Sequence, residues 1–341
     1  MKFGIGQFTL QVPPWDLRAH AEVYADVLEL IELAERADFD SVWLAEHHGA
    51  SDGYVPSLLP FLASVAARTT RIKLGTAVML APFHHPLRLA EDAAVVDALS
   101  GGRLRLGLGL GWVPEEYRMF GAEQRGRGRR LEELVDVLRL AWGPGRFTYQ
   151  GRHLSFTDVE VTPKPARPIP IWLGGAAEPA LRRAARIADG YFPPSTAGVS
   201  DIAARAEQVL QMRHDAGVEG PFGYGVFLPV GIGRDADDAW ASIRDGVLHV
   251  RGSYMLWGRG ERDVSGARDA ALPFEAEVRA SCVVGTPAEV ASQLRPIAEK
   301  LDGLDLADVF TSVVLVPPGM TRARAAEAIE RFATEVVPRL G

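Results

Sequence analysis

Ser41-Val42-Trp43-Leu44-Ala45-Glu46-His47-His48 turns abruptly from an apolar run into three adjacent ionisable side chains. Such a run, Ser41 to Ala45, reads as a strand that ends at the C-terminal rim of a parallel sheet, where α/β proteins place their chemistry. Two imidazoles and a carboxylate supply proton transfer near neutral pH. Neighbouring strand residues point to opposite faces. His47 and His48 therefore cannot both face one ion without a bend, and no metal site is expected. The plainer alternative is that one histidine faces a pocket while the other packs.

The same alternation runs outward from this strand in both directions. Phe3 to Phe8 reads as the first strand and Asp16 to Ala37 as its helix, with Val23, Val27, Leu30, Ile31 and Ala34 along one face. Leu58 to Arg68 is the second helix, Ile72 to Leu80 the third strand, and Leu87 to Leu99 the helix that Gly101 and Gly102 terminate. Leu104 to Leu110, Ile169 to Leu173, Gly190 to Phe192, Tyr224 to Ile232 and Val309 to Val316 complete the strands. Their helices begin near Leu131, Glu178, Asp201, Asp235 and Arg322.

A small hairpin, Phe147 to Phe156, precedes the fifth strand, and a larger insertion of mixed patterning, about 248–281, separates the seventh from the eighth. Thr286-Pro287-Ala288-Glu289 carries a helix start: a capping threonine, proline in the first turn and glutamate three on. Eight strand–helix units of about forty residues are the arithmetic of a single (β/α)8 TIM-like barrel domain over 1–341. A doubly wound open sheet is the alternative. It is weakened by Gln7-Phe8-Thr9, which stands where a Gly-rich dinucleotide loop belongs.

Composition narrows the function. The chain has 341 residues, 47% of them hydrophobic, and a formal charge of −7, which argues against nucleic acid as a partner. Its single cysteine, Cys282, excludes an intramolecular disulfide and suits a reducing cytoplasm. Met1-Lys2 leads directly into a strand, so no signal peptide is expected, and no apolar stretch has the length of a membrane span. The one dense basic run, Arg125 to Arg130, reads as a solvated loop, with a phosphate contact as the alternative.

Four sites fall at strand ends: Glu46-His47-His48; Gly75-Thr76-Ala77-Val78, whose small side chains leave room inside the barrel; Gly109-Leu110-Gly111-Trp112, followed by Glu115, Glu116 and Tyr117; and Gly174-Gly175-Ala176-Ala177. The last joins a strand to a helix and can aim backbone N–H groups at an anion. Gly107-Leu108-Gly109-Leu110-Gly111 is poor as a nucleotide loop because no helix opens after it. It is better as a strand that a flat ligand approaches closely. A flat, phosphate-bearing cofactor accounts for all four sites at once.

Several stretches, in order along nearly the whole chain, resemble the bacterial luciferase-like flavin-dependent monooxygenases, a family that also holds F420-dependent oxidoreductases. They are Phe39 to His48, Gly75-Thr76-Ala77, His85 to Asp92, Asp97 to Arg103, Phe120-Gly121, Pro170 to Gly175, Ala188-Asp189-Gly190 and Val284 to Pro287. The resemblance implies a TIM-like barrel with a flavin at its C-terminal face. It makes His47 the proton-transfer histidine, His48 its neighbour, and Thr76-Ala77-Val78 the strand beside the isoalloxazine ring, where a non-proline cis peptide is frequent. Gly174, Gly175 and Ala176 become the phosphate loop.

There are departures. The phosphate-gripping arginine of luciferase falls at Leu110, its reactive cysteine at Gly109, and the acid and hydroxyl of its phosphate loop at Gly175 and Ala176. Light emission is therefore in doubt, and phosphate binding should rest on backbone amides or on another arginine.

The resulting expectation is an FMN-dependent monooxygenase that uses reduced FMN and O2 to oxygenate a small organic substrate through a flavin C4a-peroxide. A separate NAD(P)H:flavin reductase would supply the reduced flavin, and the protein would be a cytoplasmic homodimer. The site residues would be Glu46, His47 and His48 for catalysis, and Thr76, Ala77, Gly109, Gly111, Trp112, Gly174, Gly175, Ala176 and Ala177 for the cofactor. Tyr254, Met255, Leu256 and Trp257 either close the substrate pocket or pack against the barrel. Alternatives are an F420-dependent oxidoreductase moving hydride without O2, and a flavin-binding protein without catalysis.

Overall fold

In the computed structural model, which describes residues 2–194 and 199–340, eight parallel strands close on themselves. They are β1 (Lys2–Phe8), β2 (Ser41–Leu44), β3 (Lys73–Thr76), β4 (Leu104–Gly109), β5 (Ile171–Gly174), β6 (Gly190–Phe192), β7 (Gly223–Ile232) and β8 (Asp308–Val314). Each pairs with the next in chain order, and β8 returns to β1 with Lys2 opposite Phe310 and Ile5 opposite Val313. This is the (β/α)8 barrel that the alternation predicts. A further short strand, Val283–Gly285, pairs with the outer end of β7.

Strand alternation divides the core in two. Val42 and Leu44 face the surrounding helices, while Trp43 between them points into the barrel. There Trp43 stacks on Phe310 at 4.5 Å and meets Trp172, Phe192 and Phe227. Small residues make this aromatic filling possible. A Cβ on Gly75 would lie 2.0 Å from the Trp43 ring, and one on Gly223 would lie 2.3 Å from Trp172. The room left by Gly75 is therefore taken by tryptophan rather than by a ligand.

The outer layer follows the sequence closely. Helix His20–Arg36 buries Val23, Val27, Leu30, Ile31 and Ala34, and Leu58–Arg68 is helical throughout. Thr286 caps the helix Pro287–Asp302: Glu289 N–H donates to its hydroxyl, and its own N–H donates to the Glu289 carboxylate at 2.8 Å. Phe147–Gln150 and Ser155–Val159 form the small hairpin.

Three boundaries differ from the reading above. The third strand breaks after Thr76, at a cis Ala77–Val78 peptide, and resumes only at Met79–Leu80. Arg125–Arg130 is not a free loop, because the helix Arg127–Trp142 begins inside it and Arg127 donates to the Gly111 carbonyl at 3.2 Å. The insertion does not begin near 248, because one helix, Ala236–Gly258, runs through that point. Short helices at Ala267–Ala271 and Glu275–Ala280 follow it.

Candidate active site

Because all eight strands are parallel, Glu46, Thr76, Gly109 and Gly174 come to one end of the barrel. His47 is buried there, 4% exposed. Its Nδ1 lies 2.9 Å from Oε1 of Glu116, and its Nε2 lies 3.2 Å from the Tyr254 hydroxyl. Glu116 comes from the short helix Pro114–Met119 and also accepts the His48 N–H at 2.9 Å, so its carboxylate is fixed from two directions. With Nδ1 against the carboxylate, Nε2 is left facing the Tyr254 hydroxyl. Trp257 at 4.4 Å and Tyr54 at 4.9 Å wall the imidazole. Burial pushes both the Tyr54 and the Tyr254 phenols up, so each keeps its proton near neutrality.

His48, which with His47 lies just past the end of β2, turns to other partners. Its Nε2 lies 2.7 Å from Oε1 of Glu46, and Nε2 of His84 reaches the same oxygen at 3.1 Å. Burial pushes the Glu46 carboxyl up, but the hydrogen bonds from the two imidazoles outweigh it and hold the group below its ordinary value. Glu46 therefore stays ionised. Glu46 and His48, expected beside His47 in the site, form a cluster with His84 packed against Phe83 and Phe120, while His47 meets Glu116 and Tyr254.

Tyr254 and Trp257 lie in the last turns of the helix Ala236–Gly258, which a buried polar knot anchors to the barrel. Asp52 accepts from Gln11 at 2.6 Å and pairs with His249 Nε2 at 2.7 Å. Arg262, just beyond that helix, stands over the Trp257 ring at 5.2 Å and 3.9 Å from Glu116.

The expected cofactor residues divide into two groups. Thr76 is fully buried, and its hydroxyl bridges to Gly107, donating to the carbonyl and accepting from the N–H at 2.8 Å each. Gly109 leaves space that Val78 occupies, 2.4 Å from where a Cβ would stand. Thr76 and Gly109 therefore help to hold the end of β3 against β4. Ala77 offers its carbonyl to the Gln7 amide. Gly111, at φ +66°, turns the chain outward, and Trp112, 39% exposed, stacks on Tyr254.

In the loop Gly174–Ala177, side chains engage two of the carbonyls. Tyr191 donates to the Gly175 carbonyl at 2.6 Å, and Arg205 donates to that of Ala176 at 3.3 Å. No acceptor among the described residues takes the N–H of Gly175, Ala176 or Ala177, and the helix Glu178–Ile187 opens immediately after them. Free amides, a helix N-terminus and one guanidinium suit an anion.

His84, Glu116, Tyr254 and Arg205 were not among the expected site residues. Glu116 and Tyr254 lay in stretches that the sequence had already marked, but nothing local tied either to His47.

The chain belongs to the luciferase-like monooxygenase family, whose model matches residues 1–302. The oxygenase component of the flavin-dependent trigonelline monooxygenase of Acinetobacter baylyi is 25% identical over 357 residues, covering 95% of this chain and 91% of that protein. The F420-dependent glucose-6-phosphate dehydrogenase of Kineococcus radiotolerans is 27% identical over 334 residues, covering 95% and 96%. Among solved structures, the monooxygenase RslO1 from Streptomyces bottropensis superimposes with a TM-score of 0.81 at 26% identity over the whole of both chains. These relatives are oxidoreductases. Among the described residues, no group of histidine, cysteine and acidic side chains is arranged to hold a metal, and no helix is long and apolar enough to cross a membrane.

Proposed function

We propose that this chain is the oxygenase of a two-component system, taking reduced FMN from a separate NAD(P)H:flavin reductase and using O2 to oxygenate a small organic substrate. The observation that carries the reading is His47, buried, oriented by Glu116 through one nitrogen and facing Tyr254 through the other. Reduced flavin supplies the electrons that activate oxygen. The protein supplies the rest. His47 moves a proton at Nε2, and Tyr54, Tyr254 and Trp257 keep water from it. The free amides of Gly175, Ala176 and Ala177, with Arg205 behind them, hold the phosphate. Ala77, Gly111 and Trp112 border the ring.

A second reading, hydride transfer with F420, is favoured by the glucose-6-phosphate dehydrogenase relative. Titration of the purified chain with reduced FMN and with F420, followed by oxygen consumption, separates the two. Tighter binding of reduced FMN with oxygen uptake is expected. Preference for F420 without oxygen uptake would establish the second reading, and binding of neither would remove both.

The phosphate assignment has its own test. Gly175 sits at φ +151°, and a Cβ there would lie 2.6 Å from Ala180, so substitution at Gly175 would deform the loop itself. Arg205→Ala deletes no backbone amide and gives up one hydrogen bond, to the Ala176 carbonyl, while Tyr191 still holds that of Gly175. It should weaken FMN binding by about 1.5–3 kcal/mol, the range of a hydrogen bond to a charged group, and leave riboflavin, which lacks the phosphate, nearly unaffected. Equal losses for the two ligands would show that the phosphate binds elsewhere.

A further inference from the structure

We infer that the cavity beside Tyr254 takes an uncharged, largely apolar substrate the size of a fused bicyclic ring, gripped through one hydroxyl or carbonyl group, and that it rejects carboxylates and phosphates. The inference rests on the reading above in calling this ligand the substrate, but its binding chemistry is independent of the flavin. The cavity, about 220 Å³, lies between the outer ends of β7 and β8 and the helix Ala236–Gly258. A cavity of about 150 Å³ holds a benzene ring, so this one admits a second fused ring or a substituted single ring.

Its walls are mainly apolar: Val247, Val250 and Val278 on one side, Phe227, Val314 and Pro317 on the other. The polar groups deep in it are neutral. Thr9, 6% exposed, keeps a buried hydroxyl without a hydrogen-bond partner. Gln7 gives its amide N–H to Ala77, which leaves its amide oxygen as an acceptor. An unpartnered buried hydroxyl is a standing penalty that a ligand's polar group relieves.

The charged lining residues are Arg251 and Glu277, opposite in sign and both exposed. A carboxylate or phosphate drawn inside would lose its water and find no buried cation in return. Position completes the case. Tyr254 touches both the cavity and His47, and Gln7 touches both the cavity and Ala77, so a molecule seated here adjoins the proton-transfer residue and the strand assigned to the ring.

Equilibrium dialysis of the full chain with 2-naphthol, naphthalene, 2-naphthoate and glucose 6-phosphate tests this without any cofactor. 2-Naphthol should bind at one site, 2-naphthoate at least about tenfold more weakly, and glucose 6-phosphate not at this site. Val250→Trp fills the cavity from a half-buried wall position and should weaken 2-naphthol about tenfold or more, while reduced-FMN affinity stays the same. Thr9→Val, similar in volume, should weaken 2-naphthol several-fold and leave naphthalene unchanged. Absence of 2-naphthol binding, equal binding of 2-naphthoate, or indifference of 2-naphthol to both substitutions would overturn the inference. Failure of the flavin titration alone would instead strike the functional reading and leave the cavity's chemistry standing.

Discussion

His47→Ala should slow substrate oxygenation by about two orders of magnitude or more, the usual size of a positioned acid–base contribution. Reduced-flavin affinity should change little, because the proposed phosphate and ring contacts belong to other residues. The size of the effect follows from how His47 is held. Glu116, itself fully buried, fixes Nδ1 at 2.9 Å, so the ring cannot rotate freely and Nε2 stays beside the Tyr254 hydroxyl. Glu116→Leu should therefore reproduce much of the loss by releasing the ring. Glu46→Gln should lose far less activity, because Glu46 serves His48 and His84 and touches neither nitrogen of His47. Single-turnover rates of the folded variants, loaded with reduced FMN, decide the matter. A His47→Ala enzyme with an unchanged chemical step would make His47 structural, and a larger loss from Glu46→Gln than from Glu116→Leu would reverse the roles of the two clusters.

That His47 and His48 face different partners agrees with the sequence reading, although β2 ends at Leu44 and the two lie in the loop beyond it, so strand alternation is not the cause. Their partners could not be read from the sequence. Glu116 and Tyr254 stand 69 and 207 positions from His47, and only closure of the barrel brings them within hydrogen-bond reach. His84 is similarly remote from Glu46.

The fold shows the same contrast. Helix Leu58–Arg68 buries one clear face, and its ends matched residue for residue. Helix Ala236–Gly258 did not, because the buried positions of its second half, Leu248, His249, Gly252, Ser253, Leu256 and Trp257, keep helical spacing but include a histidine, a glycine and a serine, so the buried face is not apolar in residue type. Its second half therefore read as an insertion of mixed pattern. The break in β3 at Ala77–Val78 had no local signal in residue type and came only through the family resemblance.

The barrel interior yields the second large effect, on stability. Trp43, 1% exposed and stacked on Phe310, is flanked by Gly75, and the two positions have to be read together. Trp43→Ala should destabilise the chain by about 3–5 kcal/mol, the range for removing a large buried aromatic side chain that its neighbours cannot replace. Gly75→Ala adds only a methyl group, but that carbon would stand 2.0 Å from the Trp43 ring. The ring is held by Phe310, Phe192 and a hydrogen bond from its Nε1 to Ser41 at 2.9 Å, so it has little room to give way. Overpacking of this kind costs about 1–3 kcal/mol. Trp43→Phe removes part of the bulk that the new methyl would strike. In that background Gly75→Ala should therefore cost clearly less than in the natural chain, a coupling of about 0.5 kcal/mol or more between touching positions. Urea unfolding of the two single variants and the double variant measures it. Strict additivity would mean that Gly75 is not there to admit Trp43, and the barrel's aromatic filling would need another explanation.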